Sequence, residues 1–145
     1  MMIKKKIGAG ILAINNEDGK ILFCRRGLDS SFSKCWAFFG GTFEDRDITP
    51  KQTAKREFFE ETRSEEEYKI SKKPFFITSN PFIDFYTYIC FFERQPKILI
   101  NEENLEYGWF DIDKIPKNLH PGVKDLFDKK YNSLKLIISK LKENI

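Results

Sequence analysis

The stretch Lys55-Arg56-Glu57-Phe58-Phe59-Glu60-Glu61-Thr62 limits how this chain can fold more than any other. Thr49-Pro50-Lys51-Gln52, just upstream, has the chemistry of a helix start: a threonine cap, proline at the first helical position, and glutamine closing a capping box. The helix is predicted to run to about residue 63. At about 100° per residue, Glu57, Glu60 and Glu61 fall within about 100° of arc. Like charges at these spacings repel by roughly 0.2–0.5 kcal/mol per pair. Either that face is solvated and partly neutralised by Lys55 and Arg56, or a positive charge from elsewhere repays the repulsion. Ala54, Phe58, Phe59 and Thr62 form the expected apolar flank, with Glu61 near its boundary. Before the helix, Trp36-Ala37-Phe38-Phe39 runs into Gly40-Gly41, where the backbone is freed for a sharp, unusual path.

The rest of the chain reads mainly as strands. Two apolar runs, roughly 6–14 and 20–26, flank Asp18-Gly19, a strong hairpin signal. A polar connection follows as far as Cys35. Aromatic and β-branched richness predicts further strands near residues 74–78, 82–92, 97–100 and 107–110, these bounds being approximate. Leu119-His120-Pro121-Gly122 announces a second helix, in which Val123, Leu126, Phe127, Tyr131 and Leu134 recur at helical spacing. In the long 82–92 run, Ile83, Phe85, Thr87, Ile89 and Phe91 share one face and are expected to meet the core. Asp84, Tyr86 and Tyr88 would then look outward or into a cleft as a stacking surface for a nucleobase, the alternative being that the aromatics are core or sheet-surface residues.

The chain has 145 residues, 41% of them hydrophobic and 15% aromatic, enough for one folded domain over residues 1–145. Cys24, Cys35 and Cys90 are odd in number and widely spaced, which fits free thiols in a reducing compartment better than a zinc site. No apolar run approaches the roughly 18 residues needed to cross a bilayer. The lysine-rich start imitates a secretion signal but lacks a small-residue cleavage site. A cytoplasmic protein without a membrane partner is expected. A net charge of +3 suits an anionic small substrate and is weak evidence for nucleic acid. His120 is the one histidine, and its setting reads as a helix start, so no Ser/His/Asp or Cys/His arrangement can be assembled.

Taken together, Trp36-Ala-Phe-Phe-Gly-Gly-Thr-Phe-Glu44 and Arg56-Glu-Phe-Phe-Glu-Glu-Thr62 resemble the signature of the MutT-like Nudix hydrolases. That signature is glycine, five residues, glutamate, seven residues, then Arg-Glu-apolar-any-Glu-Glu-any-Gly-apolar. The hairpin ending in Arg25-Arg26, the later Asn101–Pro116 segment and the Leu119–Val123 helix start also fall where the family has similar segments. There are departures. Phe39 stands where proline is usual, Arg46 where a small residue is usual, and Asp47 where glutamate is usual. Eight residues rather than seven separate Asp47 from Arg56. Arg63 replaces the closing glycine, so the turn after the helix is expected to form without glycine's left-handed conformation.

The resemblance implies an α+β Nudix fold: a mixed β-sheet with a second short sheet, sandwiched between helices in an α/β/α arrangement. It implies hydrolysis of a pyrophosphate in a nucleoside diphosphate linked to another moiety, such as a dNTP or NTP, a nucleotide sugar or ADP-ribose. It also implies Mg²⁺ or Mn²⁺ held by Glu57, Glu60, Glu61 and the Gly40 carbonyl, with Arg56 orienting a neighbouring carboxylate. The general base is either a helix glutamate or a loop carboxylate; Glu103 and Glu106 are the loop candidates. Arg25 and Arg26 are candidates for substrate phosphate, and Tyr86 and Tyr88 for the base. The partner is a nucleotide-type small molecule, with a capped RNA end among the alternatives, and the protein a monomer or homodimer. Two other classes stay open: a Nudix-like sensor that binds nucleotide without cleaving it, and an interaction domain whose glutamates are surface decoration.

Overall fold

The computed structural model describes residues 4–143. The first hairpin forms as its turn signal dictates: β1 (Lys6–Asn15) and β2 (Ile21–Arg26) are joined through Gly19, whose φ of 73° needs glycine. The two strands are paired only at Ile14 and Ile21. Beyond that point β2 diverges to bond with β3 (Trp36–Ala37) and β8 (Asn104–Phe110). The edge of β1 released by this divergence takes β4 (Phe39–Thr42) over Gly8–Ile11. On its other side β1 runs parallel to β7 (Ile83–Phe92) along its whole length. β7 carries β5 (Tyr68–Ile70) and β6 (Phe76–Ser79), both antiparallel, on its outer edge. The sheet is therefore mixed.

A helix covers each face. Ala9, Ile11 and Ala13 of β1 meet Ala54 and Phe58 of α1 (Pro50–Thr62). Leu12 and Ile14 meet Val123, Leu126, Phe127 and Leu134 of α2 (Pro121–Glu143). β1 is thus buried on both sides, which is why it reads as a nearly continuous apolar run. A short 3-10 helix, Ile112–Lys114, precedes α2, and its Asp113 takes hydrogen bonds from Tyr131 and Lys135. His120 starts α2 as its setting foretold, its Nδ1 accepting from the Gly122 N–H at 3.0 Å. Among the described residues no helix is long and apolar enough to cross a membrane.

Several expectations change. The 97–100 segment is not a strand: the Leu99 N–H bonds to the Thr62 carbonyl at the end of α1, and Ile98 packs into the α1-side core. The strands β3, β4 and β5 carry too few residues to announce themselves. In β7 both faces are core, because helices cover both sides of the sheet. Tyr88 is only 5% exposed and packs with Cys90, Phe92 and Phe58 under α1, so it presents no stacking face to a ligand. Tyr86 is half-buried against the same cluster.

Helix α1 is capped at both ends, by the expected Thr49 at its start and by an unexpected residue at its end. The Gln52 N–H donates to Thr49 Oγ1 at 3.2 Å, while the Gln52 side-chain oxygen accepts from Ile48, one residue before the cap. At the other end Arg63 itself adopts the left-handed conformation, φ 56° and ψ 18°, and its N–H bonds to the Phe59 carbonyl. The buried stripe is Ala54, Phe58, Glu61 and Thr62, at i, i+4, i+7 and i+8. Phe59 lies off that stripe, 41% exposed, with the Arg63 guanidinium 5.6 Å from its ring centroid. A side chain in the left-handed region strains the backbone by about 1 kcal/mol. Arg63→Gly is therefore expected to raise stability by about 0.5–1 kcal/mol, read from the urea midpoint. A lower midpoint would mean that the Arg63–Phe59 contact outweighs the relief of strain.

Candidate active site

Arg56 organises the loop between β4 and α1. Its Nε and Nη2 donate to the two carboxylate oxygens of Asp47, each at 2.9 Å. Asp47 is buried and also accepts from Thr53 Oγ1 at 2.9 Å and from the Glu44 N–H at 3.0 Å. Four donors hold one carboxylate, so its pKa is driven well below the usual range, chiefly by the Arg56 hydrogen bond. Arg56 is held strongly cationic in return, Asp47 being the largest cause. The remaining guanidinium nitrogen, Nη1, donates to Glu57 at 3.0 Å and to Glu60 at 3.2 Å.

The two glycines explain how the helix carboxylates approach the sheet. A Cβ on Gly41 would lie 2.3 Å from Glu57 Cδ, so only glycine leaves room for that carboxylate. A Cβ on Gly40 would lie 2.6 Å from the Ala9 carbonyl oxygen, so glycine is also what lets β4 lie flat on β1. The Gly40 N–H donates to Glu61 Oε2 at 3.0 Å, and Asn104 Nδ2 donates to Glu61 Oε1 at 3.2 Å. Glu61 is 6% exposed. It lies on the same cleft as Gly40, Gly41, Arg26, Glu102, Glu103 and Asn104, an opening of about 560 Å³. That cleft is closed on one side by the Gly27 N–H bonding to the Glu103 carbonyl at 2.9 Å. A more open hollow of about 430 Å³ beside Arg63–Glu67 is lined by none of the helix glutamates.

Glu61, Gly40, Arg26 and Glu103 line one cleft, and Glu57 lies against Gly41, close enough for its charge to act on Glu61. Glu60 stays beside Glu57 but off the cleft: its Oε2 shares Arg56 Nη1 with Glu57, and its Oε1 accepts from Arg46 Nη2 at 3.0 Å. Arg25 and Glu106 pair with each other at 3.0 Å. By strand alternation they share the face of Phe23 and Phe110, which pack in the α2-side core, and so lie across the sheet from Glu61. Glu106 is therefore not placed as a base there, nor Arg25 as a phosphate ligand. Tyr86 and Tyr88 do not line the cleft. Asn104 was not foreseen: an amide among loop glutamates gives no signal until its burial against Glu61 is seen. Among the described residues no three Asp, Glu, His or Cys side chains converge as ready ligands for one ion.

A family model described as "NUDIX domain" matches residues 4–130. Among solved structures, a Nudix hydrolase from M. smegmatis superposes with TM-score 0.74 at 19% identity, over 93% of this chain and 88% of the other. A C. elegans Ap4A hydrolase gives TM-score 0.72 at 16% identity, over 88% of this chain and 98% of the other. An ADP-ribose pyrophosphatase from Streptococcus suis gives 0.62 at 20% identity, over 82% of each chain. A comparison with curated proteins finds no match.

Burial sets the electrostatics of the cleft. Desolvation pushes the Glu61 carboxyl up to about 8; the charges of Glu57 and Glu103 add to this, and the Asn104 and Gly40 hydrogen bonds oppose it. Glu57 is raised too, again first by desolvation, with Arg56 opposing. A carboxyl whose folded pKa exceeds its unfolded value binds its proton more tightly in the folded state. Its contribution to stability is whole below the unfolded value near 4.5 and is lost as pH rises through about 8. In EDTA, Glu61→Gln should therefore gain stability relative to the parent by at least about 1 kcal/mol between about pH 5 and pH 9. Urea denaturation at both pH values measures it; a parent-to-variant difference independent of pH would contradict the burial of this charge.

Proposed function

The chain belongs to the Nudix family, and from that membership we propose that it hydrolyses a pyrophosphate bond in a nucleoside diphosphate linked to another moiety, using a divalent cation held at Glu57 and Glu61. The observation that carries this reading is the pair itself. Two carboxylates, both costly to ionise where they stand, are fitted against the Gly40-Gly41 strand, Glu61 on the cleft itself and Glu57 against Gly41. A dication removes that cost. Their hard oxygens suit Mg²⁺ or Mn²⁺, and magnesium is commonly held by one or two carboxylates with substrate phosphate and water completing the shell. When bound, the cation supplies Lewis-acid polarisation of the pyrophosphate and a more acidic water.

The chain's own residues do the rest. Arg56 fixes Glu57 from one side while Gly41 leaves room for it on the other. Gly40 and Asn104 hold one oxygen each of Glu61, so its orientation costs nothing further when substrate arrives. Glu103, on the same cleft, is the loop carboxylate assigned to take the proton of the attacking water, and Arg26 is the cation assigned to substrate phosphate. The water oxygen bonds to one phosphorus as the anhydride P–O bond to it breaks, the bridging oxygen leaving on the other phosphate product. The family's spread of substrates, seen in the Ap4A and ADP-ribose enzymes that share this fold, leaves the attached group to be found by screening.

Such a screen, over dinucleoside polyphosphates, ADP-ribose, nucleotide sugars and dNTPs with product identification, tests the activity. Glu57→Gln and Glu61→Gln should each reduce turnover by at least about a hundredfold, and excess EDTA should abolish it. Near-parental rates in both variants would remove the assignment of the site. No cleavage of any pyrophosphate by the parent, with nucleotide still bound, would favour a sensor.

A further inference from the structure

Arg46 stands where the family pattern has a small residue, and it is stretched between two glutamates. Its Nε donates to Glu44 Oε2 at 2.7 Å and its Nη2 to Glu60 Oε1 at 3.0 Å. Since Arg56 takes the other Glu60 oxygen, both oxygens of this carboxylate face guanidinium groups. Glu60 belongs to the same helical face as Glu57 and Glu61, yet it does not join them, and no third ligand converges among the described residues. We propose that Arg46 competes with the divalent cation for Glu60, so that binding at the full carboxylate set requires Arg46 to release it. This rests on the metal-dependent reading above.

The size of the effect follows from exposure. The Arg46 side chain is 63% exposed and that of Glu60 is 40% exposed. A pair in this setting is screened by solvent, and its net strength corresponds to no more than about a fivefold change in a binding constant. Arg46 therefore weakens metal binding without preventing it. Arg56 is a different case: its side chain is mostly buried and its fork is committed to Asp47, so it stays in place. Glu44 holds the other end of Arg46 and keeps its guanidinium aimed at the helix. The device works through one exposed side chain, so removing it leaves the core untouched.

Mn²⁺ binding to the full chain without substrate, followed by loss of the free-ion EPR signal, tests this. Arg46→Ala should tighten binding about two- to fivefold. In the Glu60→Gln background, where there is no carboxylate to release, the same substitution should change affinity little. Unchanged affinity in Arg46→Ala overturns the proposal. An equal gain in both backgrounds also overturns it, because Arg46 would then act only as a distant positive charge. A parent that binds no Mn²⁺ would instead defeat the metal-dependent reading, and this proposal with it.

Discussion

The buried ion pair between Arg56 and Asp47 is the contact on which the arrangement of the cleft depends. It fixes the loop after β4 to the second turn of α1, and it leaves one guanidinium nitrogen to face Glu57 and Glu60. A lone charge at either position would be expensive, since removing one partner of a buried pair costs about 3–5 kcal/mol. Asp47 is one methylene shorter than the glutamate of the family pattern, and its loop is one residue longer. The two departures belong together: with both, the carboxylate still reaches the arginine at 2.9 Å.

From that fixed point the rest follows by fit. Gly41 admits Glu57, Gly40 brings β4 onto β1 and offers its N–H to Glu61, and Asn104 arrives from β8 on the far side. Two carboxylates then sit against the Gly40-Gly41 strand, Glu61 on the cleft and Glu57 beside it, and burial makes both costly to ionise. The same helix resolves its third glutamate differently, by turning it to two arginines. Glu57, Glu60 and Glu61 share one arc of the helical wheel, with Glu61 nearest the apolar flank, yet they meet three different environments.

Much of this was legible in the sequence where local rules are strong. Thr49-Pro50, Asp18-Gly19 and the Leu119–Gly122 helix start each announced an element that forms. The Arg-Glu-x-x-Glu-Glu run with Gly-Gly identified the family, and with it the sandwich. Tertiary relations were less legible. The alternation in 82–92 could not show that a helix covers each face, so it left Tyr88 either in the core or sheet surface or on a cleft; it is in the core. The 97–100 run looked like a strand but satisfies the free carbonyl of Thr62 instead. Arg25 and Glu106 alternate regularly with Phe23 and Phe110, but which helix covers that face is a tertiary fact that no local pattern reveals. Arg63 had the chemistry against it and took the left-handed turn regardless.

In the proposed reaction Glu57 and Glu61 together hold a divalent cation against the Gly40-Gly41 strand. Paramagnetic line broadening tests it most directly: Mn²⁺ titrated at substoichiometric levels into ¹⁵N-labelled protein, with amide signals followed residue by residue. The expected result is broadening that begins at Gly40, Gly41, Glu57 and Glu61 and spreads outward along β4 and α1. Broadening that begins instead at the acidic residues of α2, half-buried Asp125 and exposed Asp128, with the Gly40-Gly41 amides unaffected, would contradict it.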